Sequence, residues 1–433
     1  MSLKEFTFGI GDTFQKVSLP EEHISDVMEG RNVPTVNVKE ATIQCMRHPI
    51  GSEPLQQKVC KGDKVCLVVA DVTRTWNKSN QFLKYIVDEL NLGGVPDKDM
   101  CIVFAQGSHR AQTPAEDERV CGKEVLQRIK TYQHDCLDPE LVDFGTTKIG
   151  TPLKLNKHVV NADKVILIDG ITTHLFAGFG GGRKLILPGV SSYDTIQRNH
   201  CHALADTPGG GVNPLTRSLK ITNNPLNDDM IEACSKVSPC FLVHSVINAE
   251  GEICSMVGGD WYEAWLEGTK QVVNIQKVPM KQKTDVVFAC AGGYPNDVSL
   301  YQGSKCYDPA EAAVKDGGIV IAIMEARDIK EPPAYMGSFI YDTAEEMEAA
   351  LRAKFTIPFF VAYKQYVLAK RCTVILVTRP ENFDDIRRTA QIPVATVQEA
   401  WDLAQQKLRE QGKTDYTINV MPHCTKVVPI LQK

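Results

Sequence analysis

The feature that most constrains this chain is a set of short, wholly apolar, β-branched runs, each emptying into a loop of reactive polar residues. The clearest are KVCLVVA (64–70), MCIVFA (100–105) and KVILI (164–168). A strand apolar at every position has both faces covered, which is the condition of a parallel sheet between helices. Helical patterns fall between these runs. QFLKYIVDELNLGG (81–94) is expected to start from a cap at Asn77 or Ser79 and to stop at Gly93-Gly94. Thr113-Pro114 opens another helix by the N-cap and first-turn proline rule. Strands alternating with helices at this spacing predict βαβ units with right-handed crossovers, a Rossmann-like α/β domain.

In open sheets of this kind, ligands bind outside the carboxyl ends of the strands, so the loop residues there are the candidates for function. The first loop offers Asp71 and Arg74, the second His109, and the third runs from Asp169 to His202. This third stretch holds His174, glycines at 178 and 180–182, then Arg183, Lys184 and a helix-like segment with His200 and His202. Gly180, Gly181 and Gly182 would let backbone N–H groups approach an anion without a Cβ in the way. Taken alone, such a cluster favours a turn over a phosphate cradle. Lys184 reads as a phosphate partner, or as a nucleophilic amine if its pKa is lowered. His202 reads as a helix-end histidine, and His244, inside FLVHSVIN (241–248), as a satisfied core histidine. Arg74 has a plain alternative as the partner of Asp71.

The length of 433 residues exceeds one ordinary core. After the helical pattern 261–276, a composition break at 277–283 predicts the boundary, giving domains at 1–276 and 277–433. The second, smaller α/β unit restarts with TDVVFAC (284–290), a helix near 309–314, GGIVIAI (317–323), TVILVT (373–378) and a helix over 397–411. Its first strand ends in a loop with Tyr294, followed by Gln302 and Lys305. The last strand-like piece, YTINVMP (416–422), could join either sheet. A net charge of −5 argues against nucleic-acid and anionic-membrane surfaces. No apolar run is long enough to span a bilayer, and no signal-peptide pattern is visible. The fourteen cysteines include no CxxC pair and are scattered through strands and helices. They read as reduced thiols of a cytoplasmic protein.

DVTR, GSH, HLFAGFGGGRKLILPG with the later His200, and YPNDVSLYQGSK occur in this order. Together they resemble the nickel-pincer nucleotide-dependent lactate racemase family over nearly the whole chain. The resemblance implies two domains with the site in the cleft between them, and a 2-hydroxy acid as small-molecule substrate. It implies a nickel-pincer nucleotide covalently attached to Lys184, with His200 as the protein ligand of nickel. It also implies His109 and His174 as the acid/base pair, and Arg74, Gln302 and Lys305, with Asp71 and Tyr294 nearby, around the substrate. The expected reaction is racemisation or epimerisation by hydride transfer through a planar 2-keto acid. Such a reaction asks for two bases of near-neutral pKa and a cation for the carboxylate, which histidine and arginine suit. A soft sulfur and carbon ligand set with one imidazole favours square-planar nickel.

The sequence departs from that family at one place. Lactate-specific members carry a tryptophan late in the second domain, where FFVAYKQYVLAK here offers Tyr363. An altered wall predicts a 2-hydroxy acid longer, bulkier or more polar than lactate, since one contact shifts preference by roughly 1–3 kcal/mol. Other classes stay open: a nicotinamide-dependent 2-hydroxy acid dehydrogenase using the glycine stretch as its pyrophosphate loop, and a zinc hydrolase on His174, His200 and His202. A binding module without catalysis is a further alternative. The sequence carries no indication of oligomeric state.

Overall fold

The computed structural model describes residues 2–432 and divides into two compact units. The larger contains residues 31–206 and 213–275; the smaller contains residues 2–30, 207–212 and 276–432.

The larger unit is built on a six-stranded sheet in the order Ile253–Gly259, Phe241–Ile247, Lys164–Ile171, Val65–Ala70, Met100–Ala105, Lys130–Gln133. All neighbours are parallel except the first pair. The period of two explains the apolar runs. Leu67, Val69, Ile102, Phe104, Ile166 and Ile168 enter the core on one face, and Cys66, Val68, Val103, Val165 and Leu167 the core on the other. Burying each such side chain fully is worth about 1.5–3 kcal/mol. The chain moves outward from Val65–Ala70 to Lys130–Gln133 and returns on the other side with Lys164–Ile171. Strand order therefore reverses between Val65–Ala70 and Lys164–Ile171, and a crevice opens at their carboxyl ends. Asp71 and residues 172–174 follow those ends directly.

The smaller unit has a six-stranded parallel sheet in the order Ile392–Val394, Thr373–Val377, Val314–Ile323, Thr284–Cys290, Ile418–Met421, Ile24–Val27. The piece expected to join either sheet, 416–422, thus pairs within this one. An antiparallel hairpin, Leu3–Ile10 with Thr13–Pro20, lays Phe6, Phe8, Val17 and Leu19 into its core, and Phe8 stacks on Phe288 at 5.8 Å.

The structural division differs from the expected 1–276 and 277–433 in two places. The first thirty residues group with the smaller unit because the hairpin buries its apolar face there and Ile24–Val27 extends that sheet. Residues 207–212 group with it because Glu348 accepts the Gly209 and Gly211 N–H groups at 2.9 and 3.1 Å. The helix after the first strand also starts later than expected. It spans Leu83–Leu92 with no side-chain cap. Asn77 is turned to another use, its Oδ1 accepting from the Ser79 N–H and its Nδ2 donating to Asp169. The Thr113-Pro114 start forms a full capping box with Glu116, and Thr396 forms another with Glu399 for Val397–Glu410. Among the described residues, no helix is long and apolar enough to cross a membrane.

Candidate active site

The loop after Val65–Ala70 and the loop after Met100–Ala105 meet at Asp71 and His109, where His109 Nδ1 lies 2.6 Å from Asp71 Oδ2. Thr73 Oγ1 donates to the other carboxylate oxygen at 2.6 Å, and Arg74 Nη1 donates to Thr73 Oγ1 at 2.9 Å. Asp71 is 3% exposed. Burial alone would raise its pKa; the hydrogen bond and charge of His109, with Arg74 and Thr73, outweigh it and hold the carboxyl below its ordinary range. Asp71 therefore stays ionised and accepts from His109 Nδ1–H, which leaves the His109 Nε2 lone pair outward. That is the tautomer of a general base. Arg74 has both an Asp71 neighbour and a guanidinium aimed at Thr73, so its plain reading as an Asp71 partner is part of the picture.

His174 is set differently. Its Nδ1 accepts from the Phe176 and Ala177 N–H groups at 3.2 and 3.1 Å, so the proton of the neutral ring sits on Nε2. Burial first, then the charges of Lys184, Arg74, His200 and Arg183, push its pKa well below the ordinary value. The ring presents an N–H donor.

Lys184 lies on a 3-10 turn, Gly182–Leu185, directly after the glycines. Burial, then Arg183 and Arg74, lower its amine well below the ordinary lysine value, against an opposing contribution from Asp169. The side chain is deep yet partly accessible, and no hydrogen bond or ion pair among the described residues holds its Nζ. Lowering the pKa of a lysine amine makes it the better nucleophile. Arg183 beside it is fully buried. Its guanidinium donates to the carbonyls of Ala177, Phe179 and Gly181 and to Asn227 Oδ1 at 2.8–3.1 Å, and lies 4.0 Å from the Trp265 ring centroid. With no carboxylate partner among the described residues, this cation lends positive potential to the site.

His200 closes the helix Tyr193–His200. Its Nδ1 donates to the Ile196 carbonyl at 2.9 Å, one turn back, which leaves Nε2 unprotonated. Burial, reinforced by Lys184, lowers its pKa to about 3. A neutral imidazole whose other nitrogen is fixed by a backbone carbonyl is the usual form of a metal-ligating histidine. These residues fit a covalently held, metal-bearing group: Lys184 as attachment point and His200 Nε2 as ligand.

Two of the three glycine amides are committed within the turn. The Gly180 N–H donates to the Thr172 carbonyl at 2.8 Å, and the Gly182 N–H to His244 Nε2 at 2.7 Å, so neither is left for a phosphate. Close packing explains the composition instead. A Cβ at Gly181 would lie 2.8 Å from His244 Cδ2 and 2.9 Å from the Gly170 carbonyl, and one at Gly182 would lie 2.9 Å from Trp265. Both also have positive φ. His244 is a core histidine, as expected, but it also fixes this turn. Because Nε2 accepts, Nδ1–H donates to the Val243 carbonyl at 2.8 Å.

In the smaller unit, Lys305 Nζ donates to Gln302 Oε1 at 2.6 Å. Tyr294 is 53% exposed, with the Arg327 guanidinium 4.8 Å from its ring centroid. Tyr363 departs from expectation. It is 4% exposed, and its hydroxyl donates to Glu348 Oε2 at 3.0 Å, in a buried network with Arg352 and the Gly209 and Gly211 amides. The residue serves this clamp, so a substrate-wall role for its hydroxyl is not supported. Sequence reasoning also missed Asp169, Asn77, Arg183, Trp265 and Glu348. Only the placement of Asp169 and Arg183 beside the glycine motif offered a signal. The zinc alternative gains nothing here: no group of three or more His, Cys, Asp or Glu among the described residues could hold a metal ion. The dehydrogenase alternative loses its pyrophosphate loop with the Gly180 and Gly182 amides.

Comparison with known proteins places the chain in a family. A family model for the lactate racemase N-terminal domain matches residues 10–210, and one for the lactate racemase C-terminal domain matches residues 279–428. A lactate racemase of Thermoanaerobacterium thermosaccharolyticum is 29% identical over 430 residues, 95% of either chain. One of Lactiplantibacillus plantarum is 29% identical over 67% of this chain and 66% of its own. The structure of a lactate racemase apoprotein from Thermoanaerobacterium thermosaccharolyticum superposes with a TM-score of 0.88 at 28% identity, covering 99% of this chain and all of that one. A crystal structure of a Thermotoga maritima protein shares the fold, with a TM-score of 0.66 at 18% identity over 94% of this chain and all of that one. The chain belongs to the lactate racemase family, a family of isomerases.

Proposed function

We propose that this protein racemises or epimerises a 2-hydroxy acid by moving the Cα hydrogen as hydride, with a nickel-pincer nucleotide attached to Lys184. When bound, that group supplies the hydride acceptor. The chain's own residues do the rest. His109 Nε2, its ring oriented by the Nδ1 bond to Asp71, takes the hydroxyl proton of one enantiomer. His174 Nε2 faces the hydroxyl oxygen of the other enantiomer, each histidine being base in one direction and, once protonated, acid in the other. Arg74 attracts the carboxylate, for which a guanidinium is suited. Burial first, then the charges of Arg74 and Arg183, keep His174 neutral between turnovers. For Gln302 and Lys305 the structure gives their pairing with each other within their own unit. Their assignment to the substrate rests on the resemblance and is tested by a rise in KM on Lys305→Ala.

The observation that carries the proposal is the pair Lys184 and His200: a deep amine with its pKa lowered, and near it an imidazole whose Nδ1–H is fixed on the Ile196 carbonyl so that Nε2 is left to ligate. Intact mass spectrometry of protein made with and without the cofactor pathway tests it. A mass gain that Lys184→Ala abolishes is expected; a gain that survives Lys184→Ala overturns the attachment point. His200→Ala should lose bound nickel, measured by elemental analysis.

A further inference from the structure

The strands that carry Asp71 and His109 hold a second reactive arrangement at their amino-terminal ends. Cys66 and Cys101 are direct register partners in the parallel strands Val65–Ala70 and Met100–Ala105. Lys130 is the register partner of Cys101 on the next strand, the edge of the sheet. Cys66 and Cys101 belong to the same core cluster, so both thiols stand on the same face. Paired strands lie about 4.7–4.9 Å apart, within the roughly 4.4–6.8 Å between Cα atoms that a disulfide requires. Across the paired strands of the described residues, no other two cysteines face each other.

The two thiols are also unequal. Cys66 is fully buried, whereas Cys101 keeps part of its surface accessible beside the exposed Lys130. The Cys66 S–H donor, with help from the Lys130 charge and against burial, lowers the Cys101 thiol. By contrast, the exposed Cys60 is pushed up by Asp63. Reactivity toward oxidants follows thiolate character and access together.

We propose that Cys66 and Cys101 form a peroxide-reactive dithiol, a reversible modification site that closes to a disulfide across the two strands. The Cys101 thiolate attacks one oxygen of hydrogen peroxide. The O–O bond breaks, hydroxide leaves and takes up a proton as water, and Cys101 becomes a sulfenic acid. The Cys66 sulfur then attacks that sulfur; the S–O bond breaks, and the hydroxyl leaves as water with the Cys66 proton. Two thiols and one peroxide give one disulfide and two waters. A dithiol reductant reverses the reaction.

The test treats the full-length protein with one equivalent of hydrogen peroxide, followed by alkylation and non-reducing peptide mapping. The expected result is a loss of two hydrogens in intact mass and a cross-link between the peptides holding Cys66 and Cys101, both reversed by dithiothreitol. Cys66→Ala should instead trap Cys101 as a sulfenic acid that dimedone labels, while circular dichroism confirms that the variant is folded. Oxidation of the wild type at other cysteines with Cys66 and Cys101 still alkylated, or a Cys101 sulfenic acid that persists beside an unreacted Cys66, would overturn the proposal.

Discussion

Replacing Asp71 with asparagine is the sharpest probe of how the His109 base is set. The carboxylate is 3% exposed and serves two donors, His109 Nδ1 and Thr73 Oγ1, each at 2.6 Å. Asparagine keeps the shape but has one acceptor oxygen. If Oδ1 stays on Thr73, the amide N–H₂ faces His109 Nδ1, which must become an acceptor and pass its proton to Nε2. The base then carries its proton on the wrong nitrogen. If the amide turns over, Thr73 loses its acceptor instead. Either way the charged acceptor is lost, and a hydrogen bond to such a group is worth about 1.5–3 kcal/mol, or roughly 10- to 150-fold in kcat/KM. Racemisation by the cofactor-loaded enzyme should fall by that factor with KM little changed, and ¹⁵N spectra of the His109 ring should report the proton on Nε2. Because the folded Asp71 carboxyl titrates below its unfolded value of about 3.9, its stabilisation is full above that pH and lost as pH falls through the folded value. The variant should lack that part of acid unfolding. An unchanged kcat/KM together with an unchanged ring tautomer would refute the assignment of His109 as the oriented base.

Three further outcomes are expected. Burial raises the Asp169 carboxyl to about 6, so its contribution to stability is greatest below about pH 4 and declines as pH rises through about 6. Asp169→Asn should flatten that decline, worth up to about 3 kcal/mol, in urea unfolding measured from pH 4 to 8. Gly181→Ala should cost about 1–3 kcal/mol or more in thermal unfolding, because positive φ and two contacts under 3 Å coincide. Gly180→Ala, with its nearest neighbour at 3.6 Å, should be tolerated. Tyr363→Phe should lower stability by about 1.5–3 kcal/mol through the lost bond to buried Glu348 and leave KM unchanged; a raised KM would restore Tyr363 to the substrate wall.

The parallel sheets were legible because apolar runs on both faces of a strand leave few other solutions, and the candidate residues were legible because they follow the ends of those strands. Asp71, His109, His174 and Lys184 sit in loops and turns that follow a strand, and His200 ends the helix Tyr193–His200. Three things were hidden. The N-terminal hairpin pairs locally but buries its face on a sheet almost three hundred residues away in sequence, as Phe8 on Phe288 illustrates, and no local pattern encodes that. The packing role of the glycine cluster was hidden because composition shows the absence of a Cβ but not what fills the space; here it is His244, Trp265 and backbone. Tyr363 was placed by analogy with a missing tryptophan, whereas its partner, Glu348, is visible only once the helices Ala344–Ala353 and Ile357–Arg371 are packed.

The central claim is that hydrogen leaves and returns to Cα as hydride, while the two histidines handle only the hydroxyl proton. Substrate deuterated at Cα tests it directly, with product analysed by mass spectrometry and chiral separation after partial turnover by the loaded enzyme. The account predicts a racemised or epimerised product that keeps most of its deuterium, since no group exchanging with water handles the Cα hydrogen. Complete loss of the label to solvent during turnover would contradict it, because a histidine that removed a Cα proton would exchange it with water.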